Sequence, residues 1–457
     1  MLGTAALLVV IPPPDGVTPA AWHILAVFAS TMVGLVLQPI PGGAIVFLGV
    51  CAVAVTGLAT MPQALAGYGD PVVWLVLAAF FISRAMIKTG LGRRIALHFI
   101  RLLGSTSIGL GYALASTELL LGTIIPSTGA RSGGIIFPIG KSLAEAYDSQ
   151  PGVTARRLGS FLMLMLYNSN VVVCAMFLTG QASNPLIAGF ARETANVELT
   201  YVTWMLGAIV PGLLAFLLVP QLIYRLHTPE IRRTPGARDI ANRELKACGP
   251  MSGAEKIMSV VFALVLILWL TKAFHPIDYV AVALLGVAVL LLSGVLTWED
   301  LLTERSAWDV FFWYGGLVQL AKLLSDSGIT KWFAGYTGGL MGDAPWWLAL
   351  IALALIYFYA HYGFASITAH ATAMYMPFVA VCLAAGAPPL FTVLILAYLS
   401  NLSASLTHYG TTPAPIYFGA GYTTQREWWR VGLLVSLLNL LIWGLVGPLW
   451  WRILGWW

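Results

Sequence analysis

A polar, glycine-broken segment occurs twice in an otherwise apolar chain. The first copy is Ser127-Thr-Gly-Ala-Arg131-Ser-Gly-Gly-Ile-Ile-Phe-Pro138; the second is Ser366-Ile-Thr-Ala-His370-Ala-Thr-Ala-Met-Tyr-Met-Pro377. Serine, alanine, a cationic or protonatable residue and a proline fall at the same offsets in both. Lys88-Thr-Gly-Leu-Gly precedes the first copy, and Asp326-Ser-Gly-Ile-Thr stands at a similar distance before the second. Downstream, Gly180-Gln-Ala-Ser-Asn-Pro185-Leu answers Gly410-Thr-Thr-Pro-Ala-Pro415-Ile. In membrane chains, paired interrupted segments in corresponding halves mark a transport site at a repeat interface. The fold must therefore bring the two segments to one place.

Only 9% of residues are charged while 59% are hydrophobic, far from the balance of a water-soluble domain. Apolar runs of ~20 residues recur along the whole chain, as spanning helices require. A net charge of +5 is too small to suggest nucleic acid, and the basic residues cluster in two places, which reads as topology. Cys51, Cys174, Cys248 and Cys382 are scattered without C-x-x-C spacing, against a disulfide framework or metal cluster. No cofactor and no metal site is expected. Met1–Val10 is apolar with no basic stretch before it, unlike a cleaved signal peptide.

These patterns predict an all-α polytopic membrane protein with about eleven transmembrane helices plus two re-entrant hairpins. After a short first helix in 1–16, a first repeat covers 17–228. It holds spans at 20–38, 43–60 and 71–89, an amphipathic stretch at 90–103, a hairpin at 107–146, a broken helix at 155–189 and a span at 201–225. A basic loop follows at 229–252, expected to be cytoplasmic. The second repeat, 253–457, has spans at 257–273, 277–296 and 309–325, a hairpin at 345–383, a broken helix at 388–418 and a final helix at 428–450. Placing the basic loop and Arg93/Arg94 on one side, with the N-terminus cytoplasmic, makes the repeats inverted in topology. The Trp pairs at 346–347, 428–429 and 450–451 are expected at the membrane interfaces. Asn168, Ser169, Asn170, Asn401 and Ser403 are expected to bond between helices.

Hairpin tips of small hydroxyl residues and glycine leave N–H groups free at half-helix N-termini, which suit carboxylates. One site would use Ser127, Thr128 and Gly129 with Gln181, Ser183 and Asn184; the other, Ser366 and Thr368 with Thr411 and Thr412. Two equivalent pockets facing each other match a molecule with a carboxylate at each end. An ionisable side chain at membrane depth is a functional candidate, so Arg131 and His370 join the set as substrate contacts. Arg131 could instead pair with Glu118 or cap helix carbonyls, and the two roles are compatible. His361, His408 and Tyr409 lie just outside the motif cores as second-tier contacts, and His408 is counted with the substrate-binding set. An intramembrane enzyme is disfavoured, because no Asp-rich cluster, H-E-x-x-H or Ser/His/Asp set occurs within the spans.

The chain resembles the divalent anion:sodium symporter family, in particular its bacterial and plastid branch of di- and tricarboxylate antiporters. The resemblance is carried by Ile11-Pro-Pro-Pro-Asp-Gly, Ala79-Phe-Phe-Ile-Ser-Arg84, Lys88-Thr-Gly-Leu-Gly-Arg-Arg94 and Pro126–Pro138. In the second half it rests on Tyr357-Phe-Tyr-Ala-His-Tyr362, Thr407-His-Tyr-Gly410 and Pro413-Ala-Pro-Ile-Tyr-Phe-Gly419. It implies a homodimer in the inner membrane of a bacterium, surrounded by lipid, working as an elevator-type transporter of small carboxylate anions. It also implies Ser-Asn-Thr tips, whose asparagines help cage sodium. Here the tips read Ser127-Thr128-Gly129 and Ser366-Ile367-Thr368, so neither keeps the asparagine, and sodium-independent exchange is the expectation.

Overall fold

The computed structural model describes residues 2–330, 332–333, 335–336 and 345–457. Among them there is no β-strand, only an isolated bridge between Thr106 and Arg233. Nine helices among these residues are long and apolar enough to cross a membrane, and Gly42–Val55 and Tyr279–Leu292 are shorter apolar helices.

Local chemistry sets the ends of these helices. Thr18 accepts the Ala21 N–H at 3.2 Å ahead of helix Pro19–Leu37, and Asp70 accepts the Val72 N–H at 2.8 Å ahead of helix Pro71–Thr89. In both, proline occupies the first turn, where its missing N–H costs nothing. One set of devices occurs in each half. Gly57, at φ +72°, ends one apolar helix, and Thr60 with Gln63 forms a capping box on Met61–Leu65. Gly294, also at φ +72°, precedes Thr297 and Asp300, which box Trp298–Leu302 in the same way. Both stretches read Gly-x-x-Thr-x-x-Gln/Asp-x-Leu.

Each hairpin and each broken helix has its counterpart in the other half. The first hairpin runs as helix Ser107–Gly122, a tip, a π-helical turn Gly129–Ile136 and helix Phe137–Ala146. The second runs as Trp346–Ala360, a 3₁₀ turn His361–Gly363, a tip and Ile367–Ala384. The first broken helix is Gly159–Met176, Leu178–Gly180 and Ser183–Ala195. The second is Pro389–Leu402, Ser403–Leu406 and Pro413–Gly419. Every residue of Gly159–Met176 is buried, the mark of a helix enclosed by protein.

Two expectations change. Trp428 and Trp451 are buried rather than interfacial: Trp428 packs on Tyr167 with ring centroids 4.8 Å apart, and Trp451 donates to the Gly207 carbonyl at 2.8 Å. The basic loop also contains a helix, Gly236–Cys248. Its Ala237 and Ala241 are buried, and its Arg238 and Glu244 reach Leu102 O and Arg93 on the amphipathic helix Leu91–Leu103.

His227, just past the end of helix Tyr201–Leu226, bonds the arginine that ties the two halves. Its Nδ1 accepts from Arg156 at 2.9 Å, its Nε2 bonds Ser160, and Arg156 also pairs with Glu427 at 3.6 Å. Burial, and then the Arg156 charge, push the imidazole down to about 4. A histidine held neutral in the fold contributes stability that is present above its unfolded pKa of ~6.5 and lost as pH falls through the lowered value. The thermal midpoint in detergent should therefore fall between pH 6.5 and 4, with a loss on the order of 2–3 kcal/mol from this group. His227→Gln should flatten that decline; a variant with the parental pH slope would show that other groups carry it.

Candidate functional site

Both tips open on one cavity of about 630 Å³. Pro126 to Ala130 line it from the first hairpin and Ser366 to Ala369 from the second. Gln181 and Ala182 join from the first helix break, and Thr411 and Thr412 from the second. Four helical segments begin at this wall, at Gly129, Ser183, Ile367 and Pro413. The first three can turn N–H groups toward the cavity, whereas Pro413 and Pro415 have none and the Ala414 N–H is bonded to Thr411 O at 3.0 Å. The two motifs meet closely: a methyl placed on Gly129 would lie 3.2 Å from the Thr412 side chain.

The hydroxyls at the two tips are held differently. Ser127 Oγ accepts the Ala130 N–H at 3.2 Å, leaving its own proton for a ligand. Ser366 precedes its helix with no side-chain cap bond, so its hydroxyl is uncommitted. Gln181 folds onto its own neighbour, with Oε1 accepting from Ala182 N at 2.9 Å. Thr411 Oγ1 is buried without a hydrogen-bond partner.

Ser127, Thr128, Gly129, Gln181, Ser366, Thr368, Thr411 and Thr412 thus share one cavity, while the other expected contacts stand elsewhere. Ser183 is buried at the break with its hydroxyl unpartnered. Asn184 donates to Cys174 O at 2.8 Å and Phe177 O at 2.9 Å, capping the carbonyls freed by the break, and accepts from Asn401 at 2.8 Å. That Asn401 bond joins the two broken helices as expected; Asn168 and Ser403 instead bond within their own helices. His408 takes the indole N–H of Trp429 at 3.0 Å, outside the cavity wall.

Arg131 lies behind the first tip and does not line the cavity. It is wholly buried, with Nε on Glu118 at 2.7 Å, one terminal nitrogen on Ile125 O, and the other on Gly180 O at 3.1 Å and Asn170 at 3.4 Å. The guanidinium is fully committed to the protein. It therefore fixes the hairpin to the first helix break. His370 likewise faces the protein, its Nε2–H donating to Tyr357 O at 2.9 Å. In the second half, the residue that reaches the matching break is His361, whose Nε2–H donates to Gly410 O at 3.0 Å. Arg131 and His370 share a sequence offset, but it is Arg131 and His361 that act alike, since each holds the carbonyl of a glycine at a helix break.

Arg84, Glu304, Asp309 and Trp313 also line the cavity and are not among the contacts expected from the sequence. An arginine inside the apolar helix Pro71–Thr89 is the signal that could have found the first of them. Among the described residues, no group of three His, Cys, Asp or Glu side chains could hold a metal ion.

Comparison with known proteins agrees with this architecture. The whole chain, residues 1–457, matches the sodium:sulfate symporter transmembrane region family. It is 46% identical to Bacillus subtilis YflS over 98% of this chain and 94% of that protein, whose name provisionally assigns it malate transport. It is 44% identical to the chloroplastic dicarboxylate transporter 1 of Arabidopsis thaliana, over 100% of this chain and 82% of the relative. Identity to the L-tartrate/succinate antiporter of Shigella boydii is 35%, over 98% and 96% of the two chains. The Alcanivorax borkumensis YdaH transporter shares the fold, with a TM-score of 0.57 at 14% identity over 96% of this chain and 98% of that one.

Arg131→Gln should cost about 3–5 kcal/mol, because it strands the Glu118 carboxylate in a dry interior. Glu118→Gln combined with Arg131→Gln should recover part of that loss, read as the thermal midpoint in detergent. If Arg131→Gln kept the parental midpoint and lost substrate binding, the guanidinium would be acting on the ligand directly.

Proposed function

This chain belongs to the sodium:sulfate symporter transmembrane family, a transporter family, and we propose that it exchanges di- or tricarboxylates across a membrane. The observation that carries the reading is the single cavity where both hydroxyl-bearing tips and both helix breaks meet. A dianion needs donors at two ends, and a repeated motif closing on one space supplies them. Carboxylate oxygens would bond the hydroxyls of Ser127 and Thr128 at one end and of Ser366 and Thr368 at the other. Gly129 lets the backbone come close, while Gln181, Thr411 and Thr412 complete the walls. We read Arg131 and His370 as residues that position the tips, with Ser183 and Asn184 holding the first break and His408 steadying the second. The names of the relatives, which include dicarboxylate transporters and a tartrate/succinate antiporter, support this substrate class.

The paired hairpins and breaks favour two inverted repeats, 17–228 and 253–457, with the loop 229–252 on the cytoplasmic side. Alternating access would then be an elevator movement of the hairpin-bearing part, with two copies of the chain forming a homodimer in a bacterial inner membrane. Sodium-independent exchange is favoured because neither tip carries asparagine and the space behind each tip is filled by Arg131 or His370. A sodium-coupled symporter of the same substrates is the second reading. It draws on buried oxygens without a partner beside the breaks: Ser183 Oγ, Asn401 Oδ1 and Thr411 Oγ1.

Counterflow in liposomes decides between them. Labelled succinate or 2-oxoglutarate should enter acid-loaded vesicles equally well when choline replaces sodium; a strict, saturable sodium requirement would establish the symporter. In the same assay, Ser366→Ala should raise KM about ten-fold or more, since a bond to a charged ligand is worth ~1.5–3 kcal/mol. Ser127→Ala should act in the same direction. Parental KM in both variants would make the tips packing elements.

A further inference from the structure

Arg84 is the cavity residue whose chemistry the tips leave unexplained. It lies on helix Pro71–Thr89, apart from both hairpins and both breaks, and it lines the same space as Ser127 and Ser366. Its ion-pair partner among the described residues is Asp300, at a loose 3.7 Å. Most of the bonding to Asp300 goes to its other carboxylate oxygen. Lys88 contacts the other carboxylate oxygen at 2.5 Å, and the Thr297 backbone N–H and hydroxyl reach that oxygen at 2.8 Å each. Among the described residues, Arg84 is therefore held loosely, by Asp300 Oδ1 alone. Its Nε is buried with no hydrogen-bond partner, while the side chain as a whole is 39% exposed and open to a ligand in the cavity. Of the two acids that line the cavity, Asp309 lies against Gly43 at the start of helix Gly42–Val55, and Glu304 precedes helix Arg305–Asp326. Neither forms an ion pair with Arg84.

We propose that Arg84 holds one carboxylate of the transported anion and selects dianions over monoanions. This rests on the reading of the cavity as a dicarboxylate site. Helix termini supply partial charges that any anion can use. A guanidinium adds a full charge and a planar fork that fits a carboxylate. A monoanion held by a hairpin tip leaves that fork unused, whereas a molecule with a second carboxylate can fill it. Because Arg84 lies outside the hairpins, the ligand would add a bridge between helix Pro71–Thr89 and the tips. Exchange without net leak follows if the unoccupied arrangement lacks that bridge.

The test is uptake of labelled succinate into succinate-loaded liposomes by the parent and by Arg84→Gln, Arg84→Lys and Asp300→Asn, with acetate as monoanionic competitor. Arg84→Gln should raise the succinate KM about ten-fold or more, with the maximal rate largely kept, and should narrow the preference for succinate over acetate. Arg84→Lys should lie between Arg84→Gln and the parent, because it keeps the charge and loses the fork. Asp300→Asn should leave the succinate KM at or below the parental value. The proposal is overturned if Arg84→Gln keeps the parental KM and preference. It is equally overturned if Arg84→Gln and Asp300→Asn are impaired alike, since the pair would then serve only to hold helices together. Should Arg84→Gln fail to assemble, Arg84→Lys decides: an unchanged KM and preference rejects the contact. A parent that exchanges no dicarboxylate at all would instead remove the functional reading beneath it.

Discussion

A helix broken away from water must find partners for every carbonyl it frees, and this requirement organises the centre of the molecule. The partners are side chains, and they come from behind the breaks. Asn184 takes Cys174 O and Phe177 O, and Thr179 and Tyr201 both donate to Thr123 O. Arg131 takes Ile125 O and Gly180 O. In the other half, His361 takes Gly410 O, His370 takes Tyr357 O, and Tyr167 reaches Ala404 O at 2.6 Å. With the carbonyls consumed at the back, the front presents N–H groups and hydroxyls. The donors at the tips are thus a by-product of how the breaks are satisfied.

The halves are joined as well as matched. Tyr417 of the second broken helix bonds Ser132 of the first hairpin, through hydroxyl contacts at 3.0 Å and to its carbonyl at 3.2 Å. Asn401 bonds Asn184 across the two breaks. The cavity therefore has walls from both halves whose relative positions are fixed by polar bonds in a dry interior. Such bonds specify geometry because each unmade one would leave a buried group unsatisfied. The Arg131–Glu118 pair follows the same logic: it adds no charge to the cavity, yet it locks the first tip to the first break.

Much of this is legible in the sequence. The spans follow from apolar run length, and the bounds of Pro71–Thr89 are readable because Asp70-Pro71 and Gly90 punctuate it. The tips and breaks are legible because serine, threonine, glycine and proline cannot lie in lipid as a broken helix unless protein surrounds them. What sequence offsets do not give is direction. Arg131 and His370 stand at equal offsets, but whether a side chain on a hairpin turns toward the cavity or toward the supporting helices depends on the π-helical turn Gly129–Ile136, which has no clear sequence signature. The helix Gly236–Cys248 is hard to see because four apolar residues on one face, Ala237, Ile240, Ala241 and Leu245, are easily lost in a basic stretch. Arg84 is marked in the sequence by its place inside an apolar helix, but the repeated motifs that point to the tips do not include it.

In the proposed mechanism, one substrate is held between the two tips while Arg131 stays engaged with the protein behind them. A structure of the protein with bound succinate or 2-oxoglutarate measures this directly. Ligand density is expected within hydrogen-bond distance of Ser127 and Ser366 together, with Arg131 still on Glu118 and Gly180. Ligand bound at Arg131 with the Glu118 pair opened, or bound outside the space shared by the tips, would contradict it.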